Sequence, residues 1–208
     1  MPESVKDHWD RVYSLQGRQA VSWFQPHAER SVRMIGETGV TTAAPIIDVG
    51  GGSSTLVDDL IEGGYTAVTI LDISAAALAS AMARLGARSG LVRWLEADIT
   101  TAVLPEAAYE LWHDRAVFHF LTAPGQRAAY VERMFRALKP GGYAIVATFA
   151  QDGPTRCSGL PVVRYSPETL QAALGPSFEL LGYENEDHRA PSGVLQRFVY
   201  CRFRKAMA

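Results

Sequence analysis

The strongest constraint on the fold is a short apolar run that recurs along the chain, each time followed by a segment of helical composition. The runs are rich in β-branched and aromatic residues, as buried strands are. Strands that alternate with helices form βαβ units, in which parallel strands are covered by helices. The predicted strands are Pro45–Asp48 with Val49, Ala67–Asp72, Leu91–Leu95, Tyr109–Asp114 and Tyr143–Phe149, and the helices between them are Ser53–Glu62, Ala75–Leu85 and Gln126–Leu138.

The two ends of the chain depart from this pattern. Ser166-Pro167 predicts a helix start, with serine as the N-cap and proline at the first helical position. The extended runs Phe178–Tyr183 and Arg197–Phe203 predict a terminal antiparallel pair at one edge of the sheet. Ahead of the first strand, Pro2–Leu15 and Pro26–Gly36 are predicted helices that pack across the open top of the sheet.

These patterns predict a single α/β domain with a doubly wound, mostly parallel sheet, helices on both faces and an antiparallel strand at the C-terminal end. A chain of 208 residues can bury roughly 70% of the surface that its unfolded form exposes, so it needs no disulfide or metal to support a core. We divide it into an N-terminal helical cap (1–44), a central core (45–149) and a segment of loop, helix and antiparallel strands (150–208).

Charge and cysteine content exclude several classes of function. A net charge of −2 argues against general nucleic-acid binding. The longest apolar run, Tyr143–Ala150, is far shorter than the roughly 20 residues of a membrane span, and the N-terminus has no apolar secretory segment. Cys157 and Cys201 fit no metal-binding spacing, so we expect free thiols and no metal. We expect a cytoplasmic protein that is a monomer or a weak dimer.

A glycine-rich loop, Asp48-Val-Gly-Gly-Gly-Ser-Ser-Thr55, follows the first predicted strand. Glycines let backbone N–H groups approach a ligand closely at a helix N-terminus. The dinucleotide-binding fingerprint is G-x-G-x-x-G, but here Gly50 and Gly52 are followed by Thr55 in place of the third glycine. This substitution, together with the lack of a Tyr-x-x-x-Lys pair, disfavours a nicotinamide-dependent oxidoreductase without excluding it.

An acidic residue stands at or just beyond the end of each of the first four predicted strands, where a ligand of an open α/β sheet binds. These residues are Asp48, Asp72, Asp98 and Asp114. Asp72 is placed to accept hydrogen bonds from both hydroxyls of a ribose, and Asp98 either contacts an adenine amine or caps a turn before Thr100. The charge of Asp48 disfavours a pyrophosphate and suits a cationic ligand. The pattern therefore indicates an adenosyl ligand with a positive centre and no phosphates.

In these features the chain resembles the class I S-adenosylmethionine-dependent methyltransferases. The motifs that carry the resemblance are Asp48-Val-Gly-Gly-Gly, Ile70-Leu-Asp72-Ile-Ser, Ala97-Asp98-Ile99, Tyr109-Glu-Leu-Trp-His-Asp114 and Leu138-Lys-Pro-Gly-Gly142. The family's loop often has a third glycine where this chain has Ser54. The resemblance implies a seven-stranded Rossmann-like sheet, S-adenosyl-L-methionine as cofactor and methyl transfer by in-line displacement. It assigns cofactor binding to Asp48, Gly50, Gly52, Asp72, Ile73, Asp98, Ile99 and Asp114.

A narrower resemblance concerns the methyl acceptor. His8-Trp-Asp-Arg-Val-Tyr13, Ser22-Trp-Phe24 and Asp114-Arg-Ala-Val-Phe118 are similar to segments of the small lysine methyltransferases that modify translation elongation factors. Those enzymes often have Asp-Lys where this chain has Asp-Arg. The acceptor stays open between a small molecule and a protein lysine, and a catalytically silent adenosyl-binding module is a further alternative. A deep pocket closed by the N-terminal helices and Gln151–Arg164 would favour a small molecule, whereas an open acidic groove would favour a lysine.

Candidate catalytic residues follow the fourth strand, where the resemblance implies that the methyl group is presented. His119 has a side chain suited to general-base work at neutral pH, with packing between two phenylalanines as the alternative. Asp114 is the second catalytic candidate, whereas His113 is predicted to be a strand residue. Trp23 and Phe24 form either an aromatic wall near the sulfonium or the acceptor or part of the core.

Overall fold

The computed structural model describes residues 3–15 and 21–207 and contains a seven-stranded sheet. Its strands are β1 (Ile46–Val49), β2 (Val68–Asp72), β3 (Val92–Glu96), β4 (Tyr109–Arg115), β5 (Leu138–Phe149), β8 (Phe178–Arg189) and β9 (Leu195–Lys205), and β6 (Arg156–Cys157) pairs with β7 (Leu160–Pro161) in a separate hairpin. The strand order is β3-β2-β1-β4-β5-β9-β8. Strands β1 to β5 are parallel, and β9 is antiparallel to both of its neighbours.

The predicted fold class is confirmed, and the deviations are local. Strand β5 begins at Leu138, earlier than predicted, because its first residues pair with Tyr109 through an irregular register. The terminal strands are longer than predicted, since β8 and β9 stay paired as far as Arg189 and Leu195. The sequence suggested a shorter pair because the inward positions at this end of β8 are the polar residues Glu184, Glu186 and His188, of which His188 is buried, and a hydrophobic pattern does not detect them.

The helices are α1 (Val5–Leu15), α2 (Glu29–Glu37), α3 (Leu56–Glu62), α4 (Ala75–Leu85), α5 (Pro124–Ala137) and α6 (Pro167–Leu174). Two of them begin as their sequences predict. The Ser74 hydroxyl accepts a hydrogen bond from Ala77 N, and the Ser166 hydroxyl accepts one from Thr169 N. Such caps contribute about 1 kcal/mol each. The predicted N-terminal helix started at Pro2, which lies outside the described residues.

Helices cover both faces of the sheet, as a doubly wound fold requires. On one face, α5 and α6 contribute Tyr130 and Leu170 to a cluster around Trp112. On the other face, α2, α3 and α4 pack around the central strands, with Ile35 and Leu60 fully buried. Helix α2 therefore belongs to a face layer of the sheet, whereas α1 packs against α4 near the top. No helix in the described part of the chain is long and apolar enough to cross a membrane.

The pleat of the central strands directs Asp48 and Asp114 to opposite faces of the sheet. In the β1–β4 pair, Asp48 lies opposite His113 and Val49 lies opposite Asp114. Side chains alternate between the faces of a strand, so Asp48 and His113 share the face covered by α2, while Asp114 points to the face covered by α5. Neighbouring positions on β4 therefore enter different environments.

Candidate active site

A cavity of about 320 Å³ lies at the carboxyl ends of β1, β2 and β4, which is the edge where ligands of open α/β sheets bind. The strand ends and the glycine loop form one side of it. Helix α1, the segment 21–25 and the β6–β7 hairpin form the other side. Of the residues predicted for cofactor binding, the cavity is lined by Asp48, Gly50, Asp72, Ile73, Asp98 and Ile99.

The glycine loop has no room for side chains. A Cβ atom at Gly50 would lie 2.0 Å from a methyl carbon of Val117, and one at Gly51 would lie 2.2 Å from Asp48 Oδ2. A Cβ atom at Gly52 would lie 2.6 Å from Asp72 Oδ2. Gly52 therefore lies against Asp72 beneath the cavity wall, while Gly51, which sequence reasoning did not select, lines the cavity. Backbone, and not side chains, forms this wall.

Asp72 connects the end of β2 to the glycine loop. Its carboxylate accepts hydrogen bonds from Gly52 N at 3.0 Å and from Ser74 N at 2.8 Å. Burial raises the pKa of Asp72 to about 6, with the nearby charge of Asp48 adding to the effect, while the two backbone donors oppose it. Because each carboxylate oxygen has more than one lone pair, Asp72 can still accept hydrogen bonds from a ligand in the cavity.

Asp48 belongs to a buried chain of three polar side chains. His113 Nδ1 lies 2.7 Å from Asp48 Oδ1, and His113 Nε2 lies 2.9 Å from the Ser31 hydroxyl on α2. Asp48 and His113 also line the cavity. Sequence reasoning treated His113 as a strand residue and did not consider Ser31, because their contact joins segments that are distant along the chain.

Asp98 caps the turn before Thr100, which was the second role considered for it, and it also lines the cavity. Its Oδ1 atom accepts hydrogen bonds from the backbone N and the hydroxyl of Thr100, both at 2.7 Å. Asp98 Oδ2 has no such contact among the described residues, so the carboxylate has an oxygen to offer to a ligand. Ile73 and Ile99 add apolar surface on the same side of the cavity.

The structure places Asp114 outside the cavity lining. Its carboxylate accepts hydrogen bonds from Val117 N at 2.8 Å, Phe118 N at 3.0 Å and the Tyr130 hydroxyl at 2.6 Å. Burial raises the pKa of Asp114 to about 6, although these donors oppose the shift. The side chain holds the turn after β4 against α5.

His119 lies in the same turn and is also placed away from the cavity. Its ring packs against Phe120 and Phe149, and its Nδ1 atom accepts a hydrogen bond from Phe149 N at 3.2 Å. Burial, with the charge of Arg115 adding to it, lowers the pKa of His119 to about 3. His119 is thus packed between two phenyl rings, which was the alternative to a general base. Its geometry does not support a role in proton transfer.

Aromatic side chains from α1 and the segment after it close the top of the cavity. The rings of Trp9, Tyr13, Trp23 and Phe120 have centroids 5.0–6.1 Å apart in mostly edge-to-face contacts, and all four line the cavity. We call these four residues the aromatic roof. Only Trp23 was identified from the sequence.

A polar contact fixes α1 in this position. Asp10 Oδ1 accepts hydrogen bonds from the Ser74 hydroxyl at 2.6 Å and from Ala76 N at 3.3 Å. Ser74 and Ala76 belong to the start of α4, whose free backbone donors favour a negative charge. The contact joins the aromatic roof to the element that follows β2.

Arg115 and the β6–β7 hairpin form the remaining wall. The hairpin lies within the segment Gln151–Arg164, for which a role in closing a pocket was considered from the sequence. Arg115 donates hydrogen bonds to the Tyr200 hydroxyl at 2.6 Å and to the Trp23 carbonyl at 3.0 Å, and it pairs with Glu186. Cys157 and Leu160 of the hairpin line the cavity. Burial raises the pKa of the Cys157 thiol, which disfavours its reactive thiolate form.

Comparison with known proteins gives a family match and distant relatives. A family model described as a methyltransferase domain matches residues 46–142. The eEF1A lysine and N-terminal methyltransferase of Mus musculus is 23% identical over 162 residues, which are 73% of this chain and 23% of that protein. An uncharacterized methyltransferase of Mycobacterium tuberculosis is 35% identical over 104 residues, half of each chain. The matched segment thus spans about a quarter of the length of the eEF1A lysine and N-terminal methyltransferase.

Solved structures share the fold over nearly the whole chain. A protein from the conversion of a disulfide bond into a thioacetal group during echinomycin biosynthesis superposes with a TM-score of 0.76 at 20% identity, covering 98% of this chain and 93% of that one. The 1,6-didemethyltoxoflavin-N1-methyltransferase of Burkholderia thailandensis, with 1,6-didemethyltoxoflavin and S-adenosylhomocysteine bound, gives 0.67 at 18% identity, covering 99% and 92%. At such identities the similarity concerns the fold.

Proposed function

We propose that this chain is a class I methyltransferase that transfers the methyl group of S-adenosylmethionine to a small, largely apolar acceptor; its match to a methyltransferase domain over residues 46–142 and its fold support this. The observation that carries the proposal is the cavity beside the glycine loop, which is lined by acidic residues on one side and by aromatic rings on the other. The first side suits the cofactor and the second suits the acceptor.

The residues at the strand ends fit the cofactor chemically. Asp72 is available to the ribose hydroxyls, and Asp98 to the exocyclic amine of adenine. Asp48 Oδ2 is buried and has no hydrogen-bond partner among the described residues, so it offers an acceptor to the cationic amino-acid end. The glycine cradle would be filled by any side chain, and the three carboxylates disfavour a pyrophosphate there.

The acceptor side of the cavity supports a small molecule over a lysine side chain. Apart from His113, Arg115 is the only basic residue in the described lining, and its partner Glu186 is not part of that lining. A lysine ammonium would therefore meet the Arg115 guanidinium and no carboxylate other than the three that are assigned to the cofactor. The similarity to the eEF1A lysine and N-terminal methyltransferases makes a protein amine the second candidate acceptor. An experiment has to distinguish it from a small molecule.

Positioning is the main catalytic contribution of the chain in this proposal. When bound, S-adenosylmethionine supplies a methyl group that is activated by its positive sulfur, so the protein has to align the acceptor and exclude water. The roof and the hairpin exclude water, while the glycine loop and its acids orient the donor. A small acceptor whose nucleophile is neutral needs no proton transfer before attack, which is consistent with the placement of His119.

The first test is isothermal titration of the purified protein with S-adenosylhomocysteine, with NAD as a parallel control. Micromolar binding of S-adenosylhomocysteine and none of NAD is the expected result. Binding of NAD alone would favour the oxidoreductase alternative. If the protein binds neither ligand, the proposed function is wrong, whereas binding of S-adenosylhomocysteine without methyl transfer to any acceptor would favour the silent adenosyl-binding module.

The second test identifies the acceptor class. The protein is incubated with radiolabelled S-adenosylmethionine and cell extract that has been separated into small-molecule and protein fractions. We expect label in the small-molecule fraction, and loss of that label in the variant Leu160→Trp, which narrows the acceptor side and leaves S-adenosylhomocysteine binding intact. Label confined to proteins would overturn the choice of a small acceptor and establish the protein-amine alternative.

A further inference from the structure

A buried hydrogen-bonded chain connects helix α2 to the cofactor side of the cavity. The side chains of Ser31, His113 and Asp48 are at most 2% exposed as residues, and the two hydrogen bonds between them measure 2.9 Å and 2.7 Å. Asp48 and His113 are direct partners in the β1–β4 register. The geometry is thus held by the sheet on one side and by α2 on the other.

The acceptor at Asp48 determines the direction of both hydrogen bonds. The Asp48 carboxylate accepts at Oδ1 from His113 Nδ1, which leaves the other ring nitrogen to accept from the Ser31 hydroxyl. Nε2 then carries the lone pair and Nδ1 carries the proton, which is donated to Asp48 Oδ1. In this arrangement Ser31 orients the His113 ring, and His113 in turn holds one oxygen of the Asp48 carboxylate.

The second oxygen of Asp48 lacks a partner. Asp48 Oδ2 is buried without a hydrogen bond in the described part of the chain, and it lies beneath Gly51, where a Cβ atom would approach it to 2.2 Å. A buried carboxylate oxygen without a donor is unfavourable. Because Asp48 lines the cavity, a ligand is the source from which a donor can come.

We propose that Ser31 and His113 are positioning residues that hold the Asp48 carboxylate through one oxygen and direct its free oxygen to the α-amino group of the cofactor's amino-acid end. The inference rests on the proposed function, because it assumes that an S-adenosyl ligand occupies the cavity. His113 and Ser31 act through Asp48 and need no contact with the reacting atoms.

Two ligands separate this role from a merely structural one. S-adenosylhomocysteine carries the amino-acid end, whereas 5′-methylthioadenosine keeps the adenosine and the sulfur but lacks that end. By isothermal titration, His113→Leu is expected to weaken S-adenosylhomocysteine binding at least tenfold, since a hydrogen bond to a charged group is lost, and to change 5′-methylthioadenosine binding by less than twofold. Circular dichroism and the melting temperature establish that the variant is folded.

Further variants keep the test decisive. An asparagine amide nitrogen can take the place of Nδ1, so His113→Asn should recover most of the lost affinity, whereas His113→Gln should not. Ser31→Ala is a smaller change and replaces His113→Leu in the test if that variant does not fold. It should weaken S-adenosylhomocysteine binding a few-fold and leave 5′-methylthioadenosine binding unchanged. Thr69→Val, another buried polar-to-apolar change, is the matched control and should affect neither ligand.

Two results would count against the inference, and they differ. If folded His113 and Ser31 variants weaken both ligands by the same factor, or neither, the positioning role is wrong although the cofactor assignment stands. If the unmodified protein binds 5′-methylthioadenosine and S-adenosylhomocysteine with no measurable affinity, the proposed function fails and the inference fails with it.

Discussion

Asp48 and Asp114 are acidic residues at neighbouring strand ends, yet the structure gives them opposite surroundings. Asp48 faces α2, lines the cavity and has one oxygen without a partner in the described residues. Asp114 faces α5 and accepts three hydrogen bonds from the turn after β4 and from Tyr130. One carboxylate is left available to a ligand, and the other is saturated by the protein itself.

The difference shows that position at a strand end is not sufficient to identify a ligand-binding acid. The pleat decides which face a side chain enters, and the donors on that face decide whether it has capacity left. A carboxylate that accepts several internal hydrogen bonds stabilises the fold. A carboxylate with one internal donor and a cavity beside it is suited to binding.

The largest expected effect is on the Asp114 side of this comparison. Asp114→Ala removes the acceptor of two backbone N–H groups and of the Tyr130 hydroxyl. Because each unsatisfied buried donor costs about 1–3 kcal/mol, we expect the free energy of unfolding in urea to fall by roughly 3 kcal/mol or more. Below its unfolding transition the variant should still bind S-adenosylhomocysteine with affinity within twofold of the unmodified protein. Unchanged stability together with lost binding would return Asp114 to the cofactor site.

Asp72 extends the comparison to the end of β2, where a buried acid has two internal donors and still lines the cavity. Asp72→Ala is expected to raise the dissociation constant of S-adenosylhomocysteine at least tenfold, because hydrogen bonds to a carboxylate are lost. Titration calorimetry measures the change, with Asp72→Asn as the variant that preserves size. If the alanine variant binds with unchanged affinity, the assignment of the ribose to Asp72 is wrong.

A smaller effect is expected from the contact that fixes the aromatic roof. Asp10→Ala removes the acceptor for the Ser74 hydroxyl and Ala76 N, a contact comparable to a helix cap of about 1 kcal/mol. The dissociation constant of S-adenosylhomocysteine should rise about fivefold, mainly through faster release, which the fluorescence of Trp9 and Trp23 can follow in stopped flow. Asp7→Ala changes an exposed acid of the same helix that pairs with Ser4, and as the control it should have no effect.

The smallest effect is a dependence of binding on pH. The pKa of Asp72 is raised by burial to about 6, and ribose hydroxyls bind the ionised carboxylate better than the protonated one. Binding should therefore be strongest above pH 6 and weaken as the pH falls through that value, by about fourfold between pH 7 and 5.5. Titrations at the two pH values measure this, and Asp72→Asn should abolish the dependence. A stronger binding at pH 5.5 would contradict the sign of the pKa shift.

Much of the cofactor side could be predicted because it depends on local sequence. The glycine loop and the acids at the ends of β1, β2 and β3 lie within a few residues of strand ends that the apolar pattern identifies. Asp48, Asp72 and Asp98 were selected for this reason, and all three line the cavity. Their roles in binding remain predictions that the titrations above will test.

The acceptor side could be predicted only in part. Trp23 was identified as an aromatic near the site, but Trp9, Tyr13 and Arg115 reach the cavity through packing between distant segments. His119 was a candidate base because of its position after β4, and its burial between Phe120 and Phe149 depends on where that turn packs. A sequence gives no signal for such an orientation.

The sequence by itself determined the class of fold, the order of strands and helices along the chain, and the edge of the sheet at which the cavity lies, because hydrophobic periodicity and turn residues act over short distances along the chain. Only the tertiary structure decided which side chains at that edge are free to bind. Asp48 and Asp114 lie at adjoining register positions and differ because α2 brings one serine to His113, while α5 brings a tyrosine to Asp114. The donors that meet a carboxylate come from residues far along the chain, and only folding brings them together.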